Sequence, residues 1–249
     1  MLNSPALDML RSMKLNGMVQ ALEDQFQAGS CSELTFEERL GLLVTREYEV
    51  RTNRRLQIRL REAKLRYQAS LEDLHYTGNR GLDKGLVLGL ASCAWIRKSH
   101  NVLITGATGV GKSYLGCALG HRACMEGFRV AYRRTSRLLR ELTAAKGDGS
   151  YAKKLEKYKR TDLLILDDWG ITPLSSESCR DLLEILEDRY QKAATIITSQ
   201  MPIDSWHKTM KSPTLADAIL DRLFHNAYRI QLKGESKRRS KVQPETPAP

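Results

Sequence analysis

Apolar positions in the first part of the chain recur at helical spacing. Leu7, Leu10, Leu15, Met18, Leu22 and Phe26 form one stripe. Ser4-Pro5 ahead of it supplies an N-cap and a proline in the first turn, where a missing N–H costs nothing. The pattern predicts one helix, loosened at Gly17 and ended by Gly29-Ser30. Thr35-Phe36-Glu37-Glu38 then reads as a capping box that opens a second, long helix through Leu40, Leu43 and Val44 to about Tyr67. The cluster Gly78, Asn79, Gly81 predicts a linker, so a small all-helical N-terminal domain is expected over residues 1–75.

Past the linker the period changes. A helical stretch from Asp83 leads into short apolar runs at 101–105, 128–133, 163–167, 194–198 and 228–232, separated by helical segments. Such alternation predicts an α/β domain over 76–233, a parallel sheet covered by helices on both faces. The last sixteen residues, GESKRRSKVQPETPAP, are polar and proline-rich, and a disordered tail is expected over 234–249.

With 249 residues, 41% hydrophobic and 28% charged, the composition supports buried cores and excludes a wholly disordered chain. No apolar run is long enough for a membrane span, and Asp8, Arg11 and Lys14 interrupt the first stripe, so no signal peptide is expected. The five cysteines, Cys31, Cys93, Cys117, Cys124 and Cys179, show no paired rhythm. They read as buried small hydrophobes in a reduced cytoplasm. The five histidines form no ligand pattern, and the three tryptophans read as packing residues. The net charge of +11 directs attention to a polyanionic partner, and its distribution narrows the search: the nets are 0 for 1–75, +12 for 76–160, −3 for 161–233 and +2 for 234–249. Within the first segment, Arg51 to Arg66 carries seven basic residues against Glu62, which suits a solvated helix face as well as a nucleic-acid or subunit contact.

The chemistry concentrates at strand ends. Gly106-Ala107-Thr108-Gly109-Val110-Gly111-Lys112-Ser113, followed by Tyr114, satisfies G-x-x-x-x-G-K-[ST] between an apolar strand and a helix. Glycines let successive backbone N–H groups converge on phosphate oxygens, and the helix N-terminus adds partial positive charge. Lys112 is positioned for the β- and γ-phosphates, and Ser113 for a hydroxyl ligand to Mg²⁺. About fifty residues on, Leu163-Leu-Ile-Leu166 ends in Asp167-Asp168. Asp167 is expected in the Mg²⁺ shell and Asp168 as the group that orients and deprotonates the attacking water. Thr195 to Gln200 is a further short strand, whose Gln200 is a candidate contact to that water or to the γ-phosphate. Arg222, in Asp221-Arg222-Leu223, reads either as an exposed helix arginine or as one offered to another subunit's γ-phosphate. No N-K-x-D guanine signature follows, which makes ATP the expected nucleotide.

GATGVGKS at 106–113, LLILDDWG at 163–170, TIITSQ at 195–200 and ADAILDRLFHNAYRIQLKGES at 216–236 together resemble the IstB-type insertion-sequence helper ATPases, relatives of the DnaC-like helicase loaders within the AAA+ class. The likeness extends to KLNGMVQALEDQ and FEERLGLLVTRE near the N-terminus. It implies an AAA+ ATPase that oligomerises on double-stranded DNA, helps choose or deform the target, recruits a partner transposase encoded alongside, and uses hydrolysis to regulate disassembly; a replicative helicase loader is the alternative. It also implies active sites between protomers, with Lys112, Ser113, Asp167 and Asp168 as Walker residues, Gln200 at the sensor position and Arg222 as arginine finger. Two departures stand out: Asp168 where many relatives carry Glu, and Gln200 where Asn is common. Twenty-six residues follow the Asp-Arg-Leu element, so no full helical lid is expected. In related initiator and loader ATPases the segment equivalent to the +12 stretch faces DNA, which makes Arg133, Arg134, Arg137, Lys146, Lys153 and Lys154 the candidate phosphate contacts.

Overall fold

A computed structural model of the chain describes residues 5–28, 34–74, 76, 81–234 and 236. Apart from Gly234 and Ser236, the expected disordered tail lies outside the described residues, as do Cys31 and most of the expected linker. The chain divides into two compact units, residues 1–58 and 59–249, so the division falls ahead of the glycine-rich linker.

The first unit is helical. Where one helix was expected there are two, α1 (Pro5–Ser12) and α2 (Asn16–Ala28). The break comes at Lys14, which takes a left-handed conformation (φ +59°), rather than at Gly17. Gly17 instead sits in the first turn of α2, where its N–H and that of Met18 donate to Glu47 Oε2 at 2.7 and 3.2 Å. A buried carboxylate thus satisfies two open N–H groups at a helix start. The capping box forms as read: Thr35 N–H donates to Glu38 Oε2 (2.8 Å) and Glu38 N–H to Thr35 Oγ1 (3.3 Å). It opens α3 (Phe36–Ala63), which stops short of Tyr67 because Lys64 turns left-handed (φ +53°).

The second unit carries a five-stranded, all-parallel sheet in the order β2-β3-β4-β1-β5. The strands are β1 (Asn101–Gly106), β2 (Val130–Arg134), β3 (Leu163–Trp169), β4 (Ala194–Ser199) and β5 (Ala227–Leu232). After α4 (Lys84–Ala91) and α5 (Ala94–Arg97), helix α6 (Lys112–Met125) follows β1. Helices α7 (Thr135–Gly147), α8 (Tyr151–Lys159), α9 (Ser176–Arg189) and α10 (Pro213–Phe224) complete the unit. The inner strands are apolar along their length because both faces are covered. On one face Leu103, Leu164, Leu166 and Ile197 pack against Leu138, Leu142, Leu182, Ile185, Ile219 and Leu223, together with Trp169 and Trp206. On the other lies α6, brought close by Gly120, where an added Cβ would stand 2.7 Å from Ile165.

Cys93, Cys117, Cys124 and Cys179 are free and buried, as read, and burial raises the Cys124 thiol pKa to about 11. Among the described residues no helix is long and apolar enough to cross a membrane. The last five residues of α3 belong to this unit, and the first of them, Arg59, donates from Nε to the Cys124 carbonyl at 2.9 Å. Among the described residues no helix follows β5.

Candidate nucleotide site

Three neighbouring strands, β3, β4 and β1, bring their carboxyl ends to one edge of the sheet, where open parallel sheets bind ligands. The loop after β1 turns through Gly106, Gly109 and Gly111 at φ +146°, +87° and +102°. These are conformations that side chains other than glycine's resist, and a Cβ on Gly106 would meet the Leu232 carbonyl at 2.3 Å. Gly111 then caps α6 without a side-chain acceptor, leaving helix-start N–H groups directed at the loop. Lys112 is largely buried, and its Nζ donates to the Ala107 carbonyl at 2.7 Å.

At the end of β3 the register slips. Leu166 pairs with Ile197 and Trp169 with Ser199, so Asp167 and Asp168 together stand opposite Thr198. One extra residue makes a β-bulge, and Asp168 absorbs it at φ +61°, a region aspartate tolerates better than most residues. The bulge separates the two carboxylates by environment. Asp167 is fully buried and accepts from Ser113 Oγ (2.7 Å), Tyr132 Oη (2.5 Å) and Thr198 Oγ1. Asp168 keeps a quarter of its side chain exposed and faces Arg134 Nε at 3.6 Å; its N–H donates to Thr198 Oγ1 at 3.3 Å. Burial, then the charge of Asp167, raises the Asp168 pKa against the opposing pull of Arg134, Arg66 and Lys112.

These groups open onto a cavity of about 840 Å³, within the range of small-molecule sites. The predicted residues Thr108, Gly109, Val110, Gly111, Lys112, Ser113, Tyr114, Asp168 and Gln200 all line it. Gln200 Oε1 accepts from Thr108 Oγ1 at 2.6 Å, tying the end of β4 to the loop. Ser113 Oγ beside Asp167 is a hard-oxygen pair, the donor chemistry that suits Mg²⁺, which typically takes one or two protein oxygens and completes its shell with phosphate and water. The described residues hold no cluster of three or more His, Cys, Asp or Glu side chains arranged for another metal.

Three participants are absent from the reading of the chain. Tyr132 lies in an apolar run and reads as core. Thr198 reads as an ordinary β-branched strand residue. Arg66 reads as part of a basic helix face, yet it lines the cavity 3.6 Å from Asp167. Pairing of β2, β3 and β4 brings the first two together, and no local pattern announces that.

The other candidates do not share one surface. Arg133 is buried: its Nη1 donates to the Tyr132 carbonyl (2.6 Å) and its Nε to Tyr158 Oη (3.1 Å), which withdraws it from the expected set of DNA contacts. Arg134 lines the nucleotide cavity and keeps about half of its side chain exposed. Arg137 is exposed beside Glu141 (3.2 Å), Lys146 bridges Glu177 and Asp181 at 2.9 and 2.7 Å, Lys153 is exposed, and Lys154 Nζ donates to the Glu141 carbonyl at 3.0 Å. Arg222 lies at the opposite end of β1 from the glycine loop, since Asn101 Nδ2 donates to the Arg222 carbonyl at 3.1 Å. Its guanidinium pairs with Glu187 and donates to the Ala218 carbonyl (2.8 Å), while its buried Nε has no hydrogen-bond partner.

A glycine-lysine loop after a central parallel strand, with an aspartate pair ending the strand two places away, is the architecture of a P-loop ATPase. Within that class the chain belongs to the IstB-like ATP binding protein family, which matches residues 8–244. A Sinorhizobium fredii protein named for an insertion sequence and for ATP binding, y4pL, is 50% identical over 240 residues, covering 96% of this chain and 98% of its own length. The corresponding protein of insertion sequence IS21 from Pseudomonas aeruginosa is 33% identical over 230 residues, covering 92% and 87%. Among solved structures, DnaI matches with a TM-score of 0.58 at 24% identity (67% of this chain, 92% of that one), and the DnaC helicase loader with 0.54 at 22% (69% and 100%). These two likenesses concern the fold.

Proposed function

We propose that the protein is the ATP-dependent helper of an insertion sequence: with ATP bound it oligomerises on double-stranded DNA, presents a selected or deformed target to the transposase encoded alongside, and disassembles on hydrolysis. The observation that carries this reading is the cavity lined by Lys112, Ser113 and Asp168, with Asp167 buried behind Ser113 at 2.7 Å, in a chain whose relatives are named for insertion sequences.

The chemistry follows from the residues. Loop N–H groups, the α6 start and Lys112 bind the phosphates. Ser113 and Asp167 would hold Mg²⁺, which supplies charge neutralisation of the β- and γ-oxygens when bound. Burial and the neighbouring Asp167 make Asp168 a stronger base than an exposed aspartate, and its place at the cavity wall suits it to orient water and accept its proton. It is one methylene shorter than the glutamate common at this position, so turnover by an isolated protomer is slow. Gln200, tied to the loop through Thr108, is the polar group that reports on the γ-phosphate.

Arg222 lies too far from its own loop to serve it, and acts on the site of an adjacent copy. Hydrolysis therefore depends on assembly. Arg134, Arg137, Lys146, Lys153 and Lys154 remain the candidate DNA contacts of the basic segment; each phosphate contact lowers log K by about 0.9 per decade of salt, without sequence readout.

Size-exclusion chromatography and gel shifts on duplex DNA, run with ATP, ADP or no nucleotide, test the proposal. ATP-dependent large complexes that disperse as ADP forms support it, and nucleotide-independent monomers on DNA refute it. Preference for single strands with capture of a helicase hexamer would establish the loader alternative instead.

A further inference from the structure

Two guanidinium groups face the aspartate pair from outside the glycine loop. Arg66 lies three residues beyond the end of α3, and its Nη1 is 3.6 Å from Asp167 Oδ2 and 4.0 Å from Asp168 Oδ2. Its guanidinium packs on the Tyr67 ring at 5.1 Å. Arg134, the last residue of β2, faces Asp168 from another side at 3.6 Å. Both line the cavity with Lys112 and Ser113. Separations of this size are Coulombic and lie outside hydrogen-bond range, so neither guanidinium spends a donor on the carboxylates. Asp167, for its part, already accepts from three hydroxyl groups. An arginine needed only to neutralise the pair would be expected to close on it in the bidentate manner that guanidinium and carboxylate favour.

We infer that Arg66 and Arg134 form a clasp, contributed by the same chain, for the terminal phosphate of a nucleoside triphosphate, and that Arg66 makes the site distinguish triphosphate from diphosphate. The inference rests on the nucleotide reading of the cavity. A divalent cation held by Ser113 and Asp167 would offset the negative charge that the guanidiniums now face, and a terminal phosphate bound in the same cavity would be the anion left for Arg66 and Arg134 to meet. Planar guanidinium suits phosphate oxygens better than an ammonium does, which gives the position a reason to be arginine. Arg66 also belongs to the segment that leaves α3 directly, so its engagement is felt at the C-terminal turn of that helix.

The test measures binding of a fluorescent non-hydrolysable ATP analogue and of fluorescent ADP, both with Mg²⁺, by anisotropy on the full-length chain. The wild type is compared with Arg66→Ala, Arg66→Lys, Arg134→Ala and Lys112→Ala. Loss of one charge-assisted contact weakens the triphosphate analogue by roughly 10- to 100-fold. ADP affinity stays within about twofold, Arg66→Lys recovers part of the difference, and Arg134→Ala falls on the same side. Amide exchange in residues 59–67 slows with the triphosphate analogue in wild type and not in Arg66→Ala. Equal loss for both nucleotides, or none for either, overturns the clasp while leaving the nucleotide site standing. A wild type that binds neither nucleotide, or a Lys112→Ala variant that binds like wild type, overturns the nucleotide reading itself.

Discussion

Thr198→Val removes one hydroxyl and little volume, and it isolates the polar support of the buried Asp167. In the native chain that carboxylate accepts from Ser113, Tyr132 and Thr198 and is fully shielded from water. A hydrogen bond to a charged group contributes about 1.5–3 kcal/mol net. The same Thr198 oxygen also accepts the Asp168 N–H at 3.3 Å, so its loss leaves a second polar group without its partner in the bulge. We expect a destabilisation of about 2 kcal/mol, which for a unit of this size lowers Tm by about 4–8 °C. Differential scanning fluorimetry without nucleotide or metal reads the effect. Ser113→Ala removes a hydroxyl from the same carboxylate, but from the side that meets Mg²⁺, so it should cost less stability and more Mg²⁺-dependent nucleotide affinity. Tyr132→Phe combined with Thr198→Val should lose more than the sum of the single changes, because the second removal leaves Ser113 as the remaining hydroxyl. A Thr198→Val protein that unfolds within 1 °C of wild type would refute this account of Asp167.

Asp168→Asn should bind ATP but lose hydrolysis, and should be more stable than wild type at neutral pH. Because the folded-state pKa of Asp168 is raised, protonation favours the fold. That contribution is fully present below the unfolded-state pKa of about 3.9 and is lost as pH rises through the folded-state value, so the stability gap between variant and wild type should widen with pH; a flat gap in urea melts would count against it. Arg189→Met should cost about 3–5 kcal/mol, since the buried guanidinium serves the Tyr158, Thr161 and Ala194 carbonyls, and a loss under 1 kcal/mol in denaturant titration would show that water replaces it. Arg222→Ala should leave nucleotide binding by a protomer intact and reduce turnover of the assembled protein by about 10³–10⁵-fold, measured as phosphate release with duplex DNA; equal turnover would remove Arg222 from the site.

Much of the architecture is legible in local pattern. The five runs become the five strands with ends shifted by at most two residues; the inner ones are legible because strands buried on both faces must be apolar throughout, whereas β5, at the sheet edge, keeps Arg229 and Gln231 exposed. The capping box at Thr35 and Glu38 forms as read because its bonds are local. The helix break moves from Gly17 to Lys14 because α2 uses Gly17 to bring backbone N–H groups against Glu47, thirty residues away. The end of α3 and the division at Ile58 and Arg59 are likewise outcomes of packing, with Arg59 drawn onto the carbonyl end of α6.

The candidate site divides in the same way. Gly106 to Ser113 and the Asp167-Asp168 pair are recognisable from spacing alone, since phosphate binding at a helix start demands consecutive residues in a short loop. The bulge that sends Asp167 into the core and Asp168 to the cavity depends on the register of β3 against β4. Arg133 and Arg134 are neighbours in a basic run, yet alternation along β2 buries one among tyrosines and turns the other toward the phosphate site. Arg66 meets Asp167 across a hundred residues of chain. Motifs whose chemistry is local therefore survive in one dimension. Partnerships that join a tyrosine, a threonine and two arginines to one carboxylate pair come into being when parallel strands fix which residues stand opposite each other, because contact across a sheet carries no signature along the chain.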